Sequence, residues 1–169
     1  MRKLLLFILI GFIACNIATA QSLGRMTLGC KRTDIPLSLP KGFNVCKTNT
    51  SNQLTYTTDK GNEHVSFYLN NGIVYKIEMH KFIGSGYNPN NFKGGLEEII
   101  MNLYEIWGEP SYIGENIYWQ FSTSKATFSH KISSFNMQMR DPHTGAPVPT
   151  YYTCYADIKL EKRTSNLFE

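Results

Sequence analysis

Outside its first twenty residues, this 169-residue chain has no apolar run near the roughly 18 residues that a bilayer-spanning helix needs. Charge is also sparse. Asp, Glu, Lys and Arg make up 18% of the residues, with 17 basic side chains against 13 acidic ones. Arg2 and Lys3 lie in the amino-terminal segment, which leaves a formal +2 on the remainder. A balance so near zero, spread along the chain, does not make the basic patch of a nucleic-acid binder. The usual catalytic constellations are missing: there is no G-x-S-x-G elbow, no H-E-x-x-H, no phosphate-binding glycine loop and no G-x-G-x-x-G. The four cysteines form no C-x-x-C and keep no zinc-ligand spacing with the histidines. The expectation is a protein without metal or other cofactor, and more readily a non-enzyme than an enzyme.

What is present begins at the amino terminus. Arg2 and Lys3 precede the apolar run Leu4 to Ile13, and Ala18-Thr19-Ala20 stands before Gln21. A basic start, a short hydrophobic stretch and an A-x-A exit predict a cleaved export signal over residues 1–20. The body is then 21–169, a single domain of 149 residues released to a bacterial periplasm or exterior. An alternative reading uses Phe12-Ile13-Ala14-Cys15, which approximates a lipoprotein cleavage box. Acylation of Cys15 would tether the domain to a membrane as an envelope lipoprotein with a structural or assembly role; without it no membrane association is expected.

Cys30, Cys46 and Cys154 remain. In an oxidising compartment the expected disulfide joins Cys30 to Cys46 across the proline-containing stretch Ile35 to Pro40, with Cys46–Cys154 as the rival pairing.

Residues 21–52 read as irregular, and strand patterns follow. Val65, Phe67 and Leu69 alternate with polar residues before Asn70-Asn71-Gly72; Ile73, Tyr75, Ile77 and Met79 alternate after it. A two-residue loop would put these apolar sets on opposite faces. A three-residue loop, with Leu69 opposite Ile73 and Val65 opposite Ile77, keeps one dry face and is the expected register. It sets His64 across from Glu78. Leu96, Ile99, Ile100, Leu103, Ile106 and Trp107 make the stripe of an amphipathic helix, with Glu97 and Glu98 in its first turn and a stop at Gly108 and Pro110. Further alternation runs through Ile117–Phe121, Ala126–Ile132, Phe135–Met139 and Tyr152–Leu160, with His130 expected on the apolar face beside Phe128 and Ile132. The fold class predicted is α+β: one antiparallel sheet of about five to seven strands, with one amphipathic helix packed on its inner face. The helix, Gly108-x-Pro110 and aromatic-strand layout over residues 96–121 resembles small α+β modules of bacterial envelopes, including inhibitor and immunity proteins; no motif ties the chain to such a family.

Two surfaces are candidates for function. Tyr68, Tyr118, Tyr151 and Tyr155 project from the face opposite the inferred core, and tyrosine joins stiff contact area to a polar tip, as binding surfaces require. The first expectation is therefore an exported, inhibitor- or immunity-like module that grips an unidentified protein partner through this face. The alternative enzyme, a small hydrolase or metal-dependent enzyme, would use Asp141 and His143 in the loop Asp141-Pro142-His143-Thr144-Gly145 as an acid/base or ligand pair.

Overall fold

The computed structural model describes residues 22–47, 49–135, 144–146 and 148–163. The expected leader with Cys15, the Asp141/His143 pair and the Met137–Met139 alternation lie outside them. Among the described residues, no helix is long and apolar enough to cross a membrane.

The class is α+β, but the sheet is larger than expected. Among the described residues, a two-stranded ribbon, β1 (Ser22–Leu23) with β2 (Met26–Thr27), stands apart from a main sheet of eight antiparallel strands. The main sheet consists of two meanders that meet at their last strands. β3 (Phe43–Val45), β4 (Gln53–Thr58), β5 (Glu63–Asn70) and β6 (Ile73–Gly86) run from one edge to the centre. The chain then crosses one face as a helix, Lys93–Trp107, and returns as β7 (Tyr112–Ile113), β8 (Ile117–Gln120), β9 (Ser124–Phe135) and β10 (Tyr151–Lys162). The resulting order is β3-β4-β5-β6-β10-β9-β8-β7. β10 lies between β9 and β6, so the first and second halves are joined by one central antiparallel pair. The count exceeds expectation because β3 and β7 are only three and two residues long. Neither is long enough to show a period-two signal.

Of the two α-helices among the described residues, α1 (Ile35–Ser38) is a single turn that buries Ile35 completely. Residues 29–32, just before it, dock along the start of β6 through Gly29 N–H to Val74 O, Val74 N–H to Cys30 O and Arg32 N–H to Gly72 O. The crossing helix, α2 (Lys93–Trp107), ends as the sequence indicates: Gly108 takes a positive φ of 74°, and its N–H donates to the Tyr104 carbonyl at 2.8 Å. It begins a turn earlier than expected, so Glu97 sits beyond the first turn and pairs with Lys93 at i,i+4. Leu103 and Trp107 are buried, and Leu96, Ile99, Ile100, Tyr104 and Ile106 pack against the core. At Gly95 a Cβ would lie 2.9 Å from Ile83 Cγ2, so only glycine lets the helix approach β6 this closely.

The β5–β6 hairpin corrects the expected register. Its loop has two residues, Asn71 (φ 50°) and Gly72 (φ 76°), in the left-handed conformations of a type I′ turn. Leu69 pairs with Val74, yet Tyr68 pairs with Lys76 and Phe67 with Ile77. The register shift leaves Tyr75 as a bulge. It is 41% exposed instead of facing the core. The extra residue reverses the alternation, so Val65, Phe67, Leu69, Val74 and Ile77 share one dry face despite the short loop. Each fully buried side chain of this kind stabilises by about 1.5–3 kcal/mol. His64 therefore faces His80, and Glu78 faces Ser66.

A second correction concerns β9. Phe128 is 2% exposed, but His130 is exposed and Ile132 is 42% exposed. The strand runs past the end of β8, whose last pair is Ile117↔Phe128, and the inner-face residues beyond that pair are exposed.

The expected Cys30–Cys46 bond is not formed, nor is Cys46–Cys154; all three thiols are free. The backbone anchors explain the first. Cys30 is tied to β6 through Val74, whereas Cys46 follows β3 and donates its N–H to Thr55 of β4. Cys154 is fully buried on the inner face, and burial pushes its thiol pKa up; burial, then Asp34, does the same for Cys30.

Candidate functional site on the outer sheet face

With the core on one face, the other face of the central strands carries the polar chemistry. Cross-strand register places it in rows. His64 of β5, His80 of β6, Asp157 of β10 and Ser129 of β9 form one row; Ser66, Glu78, Lys159 and Thr127 form the next. Tyr68, Lys76, Glu161 and Lys125 make a third. The face is concave, and side chains of these rows line an open groove of about 560 Å³ that ends at Tyr118.

The charges of the groove are paired at close range. His80 Nδ1 lies 2.6 Å from Asp157 Oδ1, and the imidazole stacks on Tyr155 with ring centroids 4.9 Å apart. Glu78 accepts from the Tyr68 hydroxyl at 2.6 Å and from Lys76 Nζ at 3.1 Å, and the same ammonium lies 3.7 Å from the centroid of the Tyr68 ring. Lys125 and Lys159 flank Glu161 at 3.0 and 2.9 Å. Burial pushes the Glu161 carboxyl up, but the two ammonium groups outweigh it and hold its pKa below the ordinary value.

The Tyr68 pKa is pushed up to about 12, first because its proton bridges to Glu78, then by burial and by the adjacent negative charge. A folded-state pKa above the unfolded value of about 10 makes a stabilising contribution that is complete below pH ~10 and lost as pH rises towards ~12. Because the ring is only partly covered, water screens the effect to about 1–2 kcal/mol. Alkaline titration of stability should show this loss between pH ~10 and ~12, and Tyr68→Phe should abolish it. An unchanged titration in the variant would assign the loss to another group.

All four tyrosines expected to form a surface do emerge on this face, but in different settings. Tyr68 is engaged by Lys76 and Glu78. Tyr118 is 39% exposed, accepts from Asn116 Nδ2 at 3.2 Å and stands beside Tyr112 with centroids 5.9 Å apart. It also lines an adjoining hollow of about 470 Å³ at the β7–β8 edge, so its ring forms the ridge between two depressions. Tyr155 lies between His80 and Phe82. Tyr151 donates to Ser85 Oγ at 2.8 Å and meets Tyr87 edge-on, nearer the far end of the sheet.

The His80–Asp157 pair has no signature in the sequence. Its members are 77 residues apart, and only the central β6–β10 pairing brings them together. Chemically, the carboxylate orients the ring and leaves Nε2 available, which is half of a general-base arrangement. No hydroxyl among the described residues is hydrogen-bonded to the imidazole as a nucleophile would be; Ser129 lies across from Asp157 in register without such a bond. Among the described residues, no three His, Cys, Asp or Glu side chains converge as metal ligands.

No protein-family model matches the chain, and neither a curated protein nor a solved structure matches it.

Proposed function

We propose that the chain is an exported, non-enzymatic binding module whose outer groove holds a loop of a partner protein. The observation that carries this reading is the groove itself: a concave, self-neutralised surface across the central strands, ending at the tyrosine ridge of Tyr118. Ion pairing inside the groove removes the one-signed field that would attract nucleic acid or a phosphate. The remaining surface offers aromatic area, oriented hydrogen-bonding groups and paired charges, which suits the mixed polarity of a protein surface. Export rests on the leader in residues 1–20, and acylation of Cys15 would present the same groove from a membrane.

Site-specific photocrosslinking tests the reading. A photoreactive residue at Thr127, inside the groove, should yield one dominant adduct with an envelope protein. The same residue at Met101, 66% exposed on the helix, should yield none. Adducts formed at Met101 and absent at Thr127 would place the partner on the other face and remove this function.

A further inference from the structure

β9 is twelve residues long, and β8 covers only its beginning. From Ser129 to Phe135 it is paired with β10 on one side, Ser129↔Asp157 through Phe135↔Tyr151. Among the described residues no strand pairs with it on the other side. Among the described residues, seven residues of backbone edge are therefore open in a sheet whose terminal strands, β3 and β7, are too short to recruit much chain. An open edge is a template for another strand. The features that usually protect edges are few here: the segment has no proline and one lysine, Lys131, while Ile132 and Phe135 are 42% and 68% exposed.

We propose that a second copy of this chain pairs with this edge, β9 against β9, antiparallel about a twofold axis through Ile132. Three observations lead to that partner and that register. A twofold at Ile132 is the midpoint of 129–135, so it uses the whole open segment. It sets Ile132 against Ile132, Lys131 against Ser133, His130 against Ser134 and Ser129 against Phe135, so no like charges face each other across the strands. Moving the axis by one residue to Lys131 would bring two ammonium groups together and shorten the pairing to five residues, because Phe128 and the residues before it already belong to β8. The alternation also matches: Ile132 faces the core side in both copies, and Ser129, Lys131, Ser133 and Phe135 face the outer side in both. Such an interface is isologous and closed, which ends the growth that an open edge otherwise invites.

The pairing has a consequence for the groove. Ser129 lines it, and the register brings Phe135 of the second copy opposite Ser129. Two grooves then lie on one continuous sheet face, and each gains an aromatic wall from the other copy.

The test is sedimentation equilibrium on the chain expressed with its leader and purified as the host leaves it. The expected result is a dimer in the micromolar range. Ile132→Lys opposes two ammonium groups at the axis and should give monomers. Ser133→Glu places a carboxylate opposite Lys131 of the other copy at two symmetric positions, and should tighten the dimer roughly two- to thirtyfold. Adding Lys131→Glu to Ser133→Glu should reverse that gain. Because Ser133 is outside the core, this pair of variants decides the question even if Ile132→Lys fails to fold. A wild-type chain that stays monomeric at about 100 μM overturns the proposal, as does a dimer whose affinity ignores Ser133→Glu.

Discussion

Replacing Trp119 with alanine is expected to cost the fold about 3–5 kcal/mol, a large part of the roughly 5–15 kcal/mol that a domain typically has. The side chain is 1% exposed and stands where three elements meet. Its ring is edge-on to Trp107 of α2, with centroids 5.3 Å apart, and to Tyr104 at 6.1 Å. Its Nε1–H donates to the carbonyl of Gly108 at 2.8 Å, fastening the helix end to β8. Trp107 in turn donates to Ser22 O at 2.8 Å and holds the amino-terminal ribbon. Truncation would open a cavity that neither the helix nor the sheet can close, and would free the hydrogen bond that fixes the turn after α2. Thermal unfolding should shift downward by roughly 2–4 °C per kcal/mol for a domain of this size, about 6–20 °C in all. Trp119→Phe keeps most of the buried area and loses the hydrogen bond, so its cost should be nearer ~1–2 kcal/mol. If both variants melted within a degree or two of the parent, the junction of α2 and β8 would not be the centre of the core.

The elements of that junction are legible in the amino-acid pattern alone. Six apolar positions at helical spacing and a Gly-x-Pro stop define α2, while Ile117, Trp119 and Phe121 alternate after it. Both signals are local, and local periodicity survives folding when one face is buried. The hairpin shows where locality stops. Asn71-Gly72 is a strong two-residue turn signal, and the alternation on both sides demands one dry face. Those two requirements conflict, and the sequence does not mark which residue will be sacrificed to reconcile them. The chain resolves the conflict with a bulge at Tyr75, a choice set by twist and packing across strands. The same holds for β9, whose apolar alternation continues through Ile132 although its neighbour β8 stops at Phe128 and Ile132 is exposed. The His80–Asp157 pair depends on which strands become neighbours at the centre of the sheet, and no spacing in the chain encodes that. The tyrosines are legible as a set because side-chain parity along a strand assigns faces without any knowledge of strand order.

That parity leads to the second large effect. Tyr118→Ala combined with Tyr155→Ala should weaken binding of the photocrosslinked partner by about 2 kcal/mol or more for each ring, roughly thirtyfold apiece. Both rings are held before any partner arrives: Tyr118 by Asn116 and Tyr112, Tyr155 by the stacked His80 and by Phe82. Such preorganisation lowers the entropy lost on association, which is how a hydroxylated ring becomes an anchor and not only an exposed side chain. They stand on β8 and β10, with β9 between them and no shared contact, so the two losses should combine nearly additively. Stability should change far less than affinity, because neither ring belongs to the core cluster and each forfeits about 0.5–1.5 kcal/mol of aromatic contact. Calorimetric titration of the folded double variant decides the matter. Full affinity would leave the tyrosines as ordinary residents of a pleated, half-wet surface, and recognition would then have to lie in the charged cluster of Lys125, Lys159 and Glu161.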